Sequence, residues 1–153
     1  MAKPRPFLAR ILRPEVNTGT ALAPVWVAIE GLDSVTITNA ETSADTSDFD
    51  DEGWGSSIVA MRNQTVMLAG KSKMDPVTRA PMPGQAFVEA LGEIVGDGGY
   101  GDFRITRPSG SRRRFEAVVK CDPYGGGIGE ASKWTAELKT NGKPVTEPAP
   151  VGP

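Results

Sequence analysis

The strongest constraint on this chain is its period-two hydrophobicity. Val25, Val27 and Ile29 alternate with Trp26, Ala28 and Glu30, and Val35 and Ile37 alternate with Thr36 and Thr38. Further runs start at Ile58 and Ala60, at Val66 and Leu68, and at Phe103 and Ile105. Phe115, Ala117, Val119 and Cys121 share one parity, as do Trp134, Ala136 and Leu138. Successive strand side chains point to opposite faces, so this pattern means one face buried and one face wet, as in an antiparallel sheet. Gly31-Leu-Asp-Ser34 reads as the tight turn of a hairpin joining the first two runs. Asn63 divides the third run from the fourth, Pro108-Ser-Gly110 ends the fifth, and Asn141-Gly142 closes the last.

A single segment has the helical period. Phe87, Ala90, Leu91, Ile94 and Val95 fall at i, i+3, i+4, i+7 and i+8, which predicts an amphipathic helix over residues 83–95. Pro83 suits its first turn and Gly96-Asp-Gly-Gly99 stops it. Gly92 costs the helix about 1 kcal/mol relative to Ala, so packing against the sheet must support it. The expected fold is mainly β: an antiparallel β-sandwich or partly open barrel with one flanking α-helix. Residues 1–20 read as an N-terminal arm, 21–142 as the β domain, and 143–153 as a Pro-rich mobile tail.

The 153 residues make one ordinary domain, and 39% apolar with 24% charged residues is the balance of a folded chain rather than a disordered one. The longest apolar stretches are far short of the roughly 18 residues a membrane span needs, so no membrane segment is expected. Arg10 interrupts the stretch from Phe7 to Leu12 and Arg13 ends it, which leaves no signal-peptide core. The single cysteine, Cys121, excludes an internal disulfide and fits a reducing compartment. There is no histidine, which removes His-dependent triads, His metal sites and the usual general base near neutral pH. The reading is a protein that is not an enzyme, with no cofactor and no metal.

Three glycine or acid motifs give chance matches. Gly70-Lys71-Ser72 ends like a phosphate-binding loop, but Thr65 stands where that pattern needs Gly, and no helix follows. Gly125-Gly-Gly-Ile-Gly129 precedes a strand rather than a helix, so it reads as a flexible loop and not a dinucleotide site. Asp48, Asp50, Glu52 and Gly53 match the start of a calcium loop, but Val59 replaces its closing Glu.

Charge is concentrated at two poles. Residues 39–54 carry Glu41, Asp45, Asp48, Asp50, Asp51 and Glu52 with no base, and hold the aromatics Phe49 and Trp54. Such a loop is longer than a hairpin needs, and aromatics within a charged loop anchor surfaces. Arg104, Arg107, Arg112, Arg113 and Arg114 form the opposite pole. No stacking aromatics interleave with them, so they suit an acidic protein surface better than nucleic acid.

The order of features resembles the tail tube proteins of long-tailed phages, siphophages in particular. A Trp-bearing first strand (PVWVAIEGLDSVTIT) leads to an acidic loop ending in Gly and Trp (SADTSDFDDEGW) and two strands (SSIVAM, QTVMLAGKSK). A helix (PGQAFVEALGEIVG), a DFRITRP strand, a charged strand (RRRFEAVVKCDPYG), a glycine loop and a Trp strand ending in NGKP complete it over about residues 20–147. The resemblance implies hexameric rings joined edge to edge and stacked into a hollow tube around a tape measure protein, through which DNA later passes without specific binding. Tail terminator and baseplate or tip proteins would be further partners, in a virion assembled in the host cytoplasm. The loop after the first hairpin and the terminal arms would make ring-to-ring contacts. Opposite charge, rather than the resemblance, leads to the expectation that Glu41, Asp45, Asp48, Asp50, Asp51 and Glu52, with Phe49 and Trp54 beside them, attract Arg104, Arg107, Arg112, Arg113 and Arg114 across rings. The tube of the type VI secretion system shares this fold and stays an alternative. So does a monomeric carbohydrate-binding β-sandwich using Trp26, Trp54 and Trp134.

Overall fold

The structure is a computed structural model that describes residues 2–149, without the side chains of Ala9 and Asp51. Residues 150–153 of the expected tail lie outside the described residues. Eight strands run in chain order: β1 Arg13–Asn17, β2 Trp26–Ala28, β3 Leu32–Asp45, β4 Ser57–Lys71, β5 Tyr100–Thr106, β6 Arg112–Asp122, β7 Lys133–Thr140 and β8 Val145–Glu147. The helix α1, Pro83–Glu93, sits between β4 and β5. All strands join one antiparallel sheet in the order β2-β1-β5-β6-β7-β4-β3, with β8 beside β6. The fold is mainly β with one helix, as expected, and is built from a single sheet that does not close.

The two ends of that order, β2 and β3, are neighbours in the chain, so the sheet curls on itself. Its inner face carries Val16, Phe103, Phe115, Ala117, Leu138, Trp134, Val66 and Leu68, all buried, and α1 adds Val88 and Leu91. Phe103 and Phe115 stack at 5.9 Å between ring centroids. Gln85 fastens the seam. This buried helix side chain donates from Nε2 to the carbonyls of Glu30 at 2.7 Å and Lys71 at 2.9 Å, and accepts from the Lys73 N–H at 2.8 Å. Gly92 explains itself here: a Cβ would stand 3.2 Å from the Cys121 Cβ, so glycine lets the helix lie close on β6.

Several local expectations change. The hairpin placed at Gly31 to Ser34 does not form. Strand β2 pairs with β1, Val27 opposite Val16, and β3 pairs with β4, Val35 opposite Leu68. Two alternating runs specify strands but not partners. Gly31, at φ +80°, carries the chain from one edge of the sheet to the other. Strand β4 runs unbroken through Asn63, which pairs with Ala40 where neither face needs an apolar residue. Strand β1 lies inside the segment read as an arm, too short to display a period, yet Val16 is buried. Strand β8 lies inside the segment read as a mobile tail and pairs with β6 through Arg113 and Thr146. Residues 39–45 extend β3 instead of forming a loop, so the connection is residues 46–56. The helix ends at Glu93, and Ile94 is extended with its N–H on the Leu91 carbonyl.

The Gly70-Lys71-Ser72 segment is structural. The Lys71 N–H donates to Gly31 and the Ser72 N–H to Ser132, both at 2.9 Å, while the Ser72 hydroxyl donates to the Pro123 carbonyl. Amides already used cannot cradle a phosphate.

Candidate assembly surface

Strand direction fixes which loops share an end. Because β3, β5 and β7 run parallel to one another, the β3–β4 and β5–β6 connections leave the same end of the sheet. The β6–β7 connection and the segments flanking α1 leave the opposite end. The two charge poles found in the sequence therefore share one end.

The acidic pole rides on a bare ribbon. Strand β7 pairs with β4 only from Thr65 onward, whereas β3 and β4 continue together from Asn39–Gln64 to Asp45–Ser57. Every described side chain from Thr36 to Asn63 is exposed. At the tip Phe49 is fully exposed and Trp54 is 81% exposed. Asp45 accepts from the Ser47 N–H at 2.8 Å and Asp48 from the Asp50 N–H at 2.9 Å, which shapes the turn. These bonds from Ser47 hold the Asp45 carboxyl below its ordinary value. Glu41 meets Arg62 at 3.8 Å in full solvent, a pair worth little. Among the described residues no acids converge to hold a metal ion, and the Asp51 side chain lies outside them.

The arginine pole divides in two. Arg104 pairs with Glu15 at 3.1 Å, and Arg114 grips Asp102 and reaches Glu147 at 3.5 Å. Both guanidinium groups lie over Trp26, at 4.4 and 5.3 Å from its ring centre. Asn17 adds a hydrogen bond to Asp102 at 3.1 Å. These two arginines belong to the fold. Arg107, Arg112 and Arg113 have no carboxylate partner among the described residues. Arg113 makes one long hydrogen bond, 3.4 Å to the Thr146 hydroxyl, and its buried Nε has no partner. Arg107 and Arg113, with Leu12, Ile37, Ile105 and Phe115, line a cavity of about 700 Å³ that opens at this end of the sheet.

The sequence reading missed this cavity, because its apolar wall comes from three separate strands and the segment before β1. It also missed Glu15 and Asp102 as partners of Arg104 and Arg114, although both acids lie on strands beside them. The three tryptophans do not form a sugar-stacking platform. Trp134 is buried in the core, Trp26 lies under arginines on the other face of the sheet, and Trp54 is at the ribbon tip.

No protein-family model matches the sequence, and no curated protein does. Solved structures do match in fold. The tail of an empty gene transfer agent particle, refined with C6 helical symmetry, aligns at TM-score 0.68 with 15% identity over 92% of this chain and 98% of that one. A chain of the native gene transfer agent virion aligns at 0.68 with 14% identity, over 94% and 100%. The SPP1 tail tube aligns at 0.68 with 12% identity, over 93% and 79%. The fold of this chain is that of phage tail tube subunits.

Proposed function

We propose that this chain is a structural subunit of a phage tail tube, assembling with copies of itself into stacked hexameric rings around a hollow conduit for DNA delivery. The observation that carries this reading is the ribbon on a tail-tube fold. A two-stranded hairpin with both faces wet is marginally stable alone. This one ends in two large exposed aromatics and a set of carboxylates, which a monomer has no use for. The outer edge of the 14-residue β3 pairs with no strand among the described residues. An open edge of that length is a liability in a monomer and a joint in an assembly. Head-to-tail contacts that close make a ring, and repetition along an axis makes a tube.

In this reading the tip residues Glu41, Asp45, Asp48, Phe49, Asp50, Asp51, Glu52 and Trp54 contact another copy, and Arg107, Arg112 and Arg113 mark a second contact. The segments outside the sheet at either terminus add to those contacts. A tape measure protein occupies the lumen during assembly, and terminator and baseplate or tip proteins close the ends. The site of action is the virion, after assembly in the host cytoplasm. Passing DNA is not held tightly, since strong phosphate contacts would stall it.

The test is sedimentation velocity of the wild-type chain and of a Phe49→Ala, Trp54→Ala double variant, with circular dichroism to check folding. The wild type should form large species with concentration and the folded double variant should stay monomeric. A wild type that remains monomeric throughout points instead to an independent binding module.

A further inference from the structure

The cavity mouth and the β6–β7 connection lie at opposite ends of the sheet and carry opposite charges. At the cavity mouth, Arg107, Arg112 and Arg113 have no acidic partner among the described residues, although the acidic ribbon leaves from the same end. At the opposite end, residues 83–99 hold Glu89, Glu93 and Asp97, and the β6–β7 connection holds Glu130, while Lys73, Arg79 and Lys133 lie in the neighbouring segments. The β6–β7 connection also projects a knob. Ile128 is fully exposed and Tyr124 is 67% exposed, in a loop turned by Gly126 at φ +134° and Gly129 at φ +89°. Glu130 accepts from the Gly127 N–H at 3.0 Å, which folds the loop back on itself.

We infer that the arginine-lined cavity of one copy seats the Tyr124–Glu130 loop of the next copy, with Ile128 against Leu12, Ile105 and Phe115 and Glu130 facing Arg113. The partner is a second copy of this chain, stacked end to end. Such a stack brings together opposite ends of the domain. The two pieces that would meet are an arginine-lined hole and a loop carrying Glu130. Glu130 would supply the acceptor that the buried Arg113 Nε lacks, and a charge-assisted hydrogen bond in a partly dry site is among the stronger polar contacts.

The same geometry argues against the acidic tip as the occupant. Asp48 is nine residues beyond Asn39, on the order of 30 Å at the rise of an extended strand. Asn39 lines the cavity of its own chain, so the tip stands well past that mouth and leaves from the same end. In an end-to-end stack the ribbon runs along the flank of the next copy while the mouth meets the loop.

This inference rests on the stacked-ring reading, and the experiment separates the two. In a Cys121→Ala background, Ser109→Cys at the cavity rim and Ile128→Cys in the loop are combined in the full chain and oxidised after assembly. The expected result is a ladder of covalent oligomers, absent from either single variant. In parallel, Arg113→Glu should raise the concentration needed for assembly on the order of tenfold. Adding Glu130→Arg should restore it, with thermal melts confirming that each variant folds. Tubes that form without the ladder, or a ladder obtained instead from Ser109→Cys with Phe49→Cys, overturn this contact and leave the tube reading intact. A wild-type chain that never assembles overturns both.

Discussion

Arg114 grips Asp102 across neighbouring strands, its Nε 3.0 Å from one carboxylate oxygen and its Nη2 2.6 Å from the other. The pair sits diagonally on the wet face, since Asp102 is opposite Glu116 and Arg104 is opposite Arg114. Removing Asp102 strips Arg114 and Asn17 of a shared acceptor. Asp102→Ala should lower stability by about 1.5–3 kcal/mol, the scale of hydrogen bonds to charged groups. Arg112→Ala, with no ion pair among the described residues, should stay within about 0.5 kcal/mol of wild type. Urea denaturation of both variants checks the contrast.

Gln85→Leu should be the more damaging change. The side chain is of comparable volume, but three backbone groups at Glu30, Lys71 and Lys73 lose their partner at the seam of the sheet. Each buried polar group left unpaired costs roughly 1–3 kcal/mol, so a loss of about 3 kcal/mol is expected where water reaches some of them. Thermal unfolding reads it directly.

Gly70→Ala tests the packing account of the apparent phosphate motif. A Cβ there would collide with the Gly31 carbonyl, a backbone atom that cannot swing aside. The variant should lose about 1–3 kcal/mol, as overpacked sites do. Lys71→Ala, whose side chain makes only a 3.9 Å exposed pair with Asp33, should be close to neutral.

Cys121 should be chemically quiet. Burial first, then the nearby Glu89 and Asp122 charges, push its thiol from 9.0 up to about 12. The folded chain thus keeps a proton that the unfolded chain releases above pH 9. This group leaves stability untouched below that pH and lowers it as pH climbs from 9 towards 12. At pH 8 a thiol reagent should label the native protein slowly and the urea-unfolded protein at once.

The sequence disclosed what alternation and helical period can disclose. The inner face of β6 and β7 was legible because Phe115, Ala117, Val119, Trp134, Ala136 and Leu138 keep strict parity. The helix α1 was legible as an element but its buried face only in part: Ala90, Ile94 and Val95 of the expected stripe are exposed, the last two past the helix end, and Gln85 and Val88 join Leu91 on the buried face. Partner choice was not legible. Val27 and Val35 lie eight residues apart and suggest a hairpin, but β2 and β3 take opposite ends of the sheet order because the sheet curls. The ribbon was legible only as an acidic stretch, since strands with two wet faces lose the alternation that marks a strand. The five arginines looked alike in sequence. Only the strand register, which brings Glu15 to Arg104 and Asp102 near Arg114, separates the two that hold the fold from the three with no carboxylate partner among the described residues.

Electron microscopy of the purified chain, fresh and after concentration, tests the central claim most directly. The account predicts hollow rings with sixfold symmetry and tubes of uniform width built by stacking them. A uniformly monomeric field at every concentration, also after addition of preformed tail tips as nuclei, would contradict it.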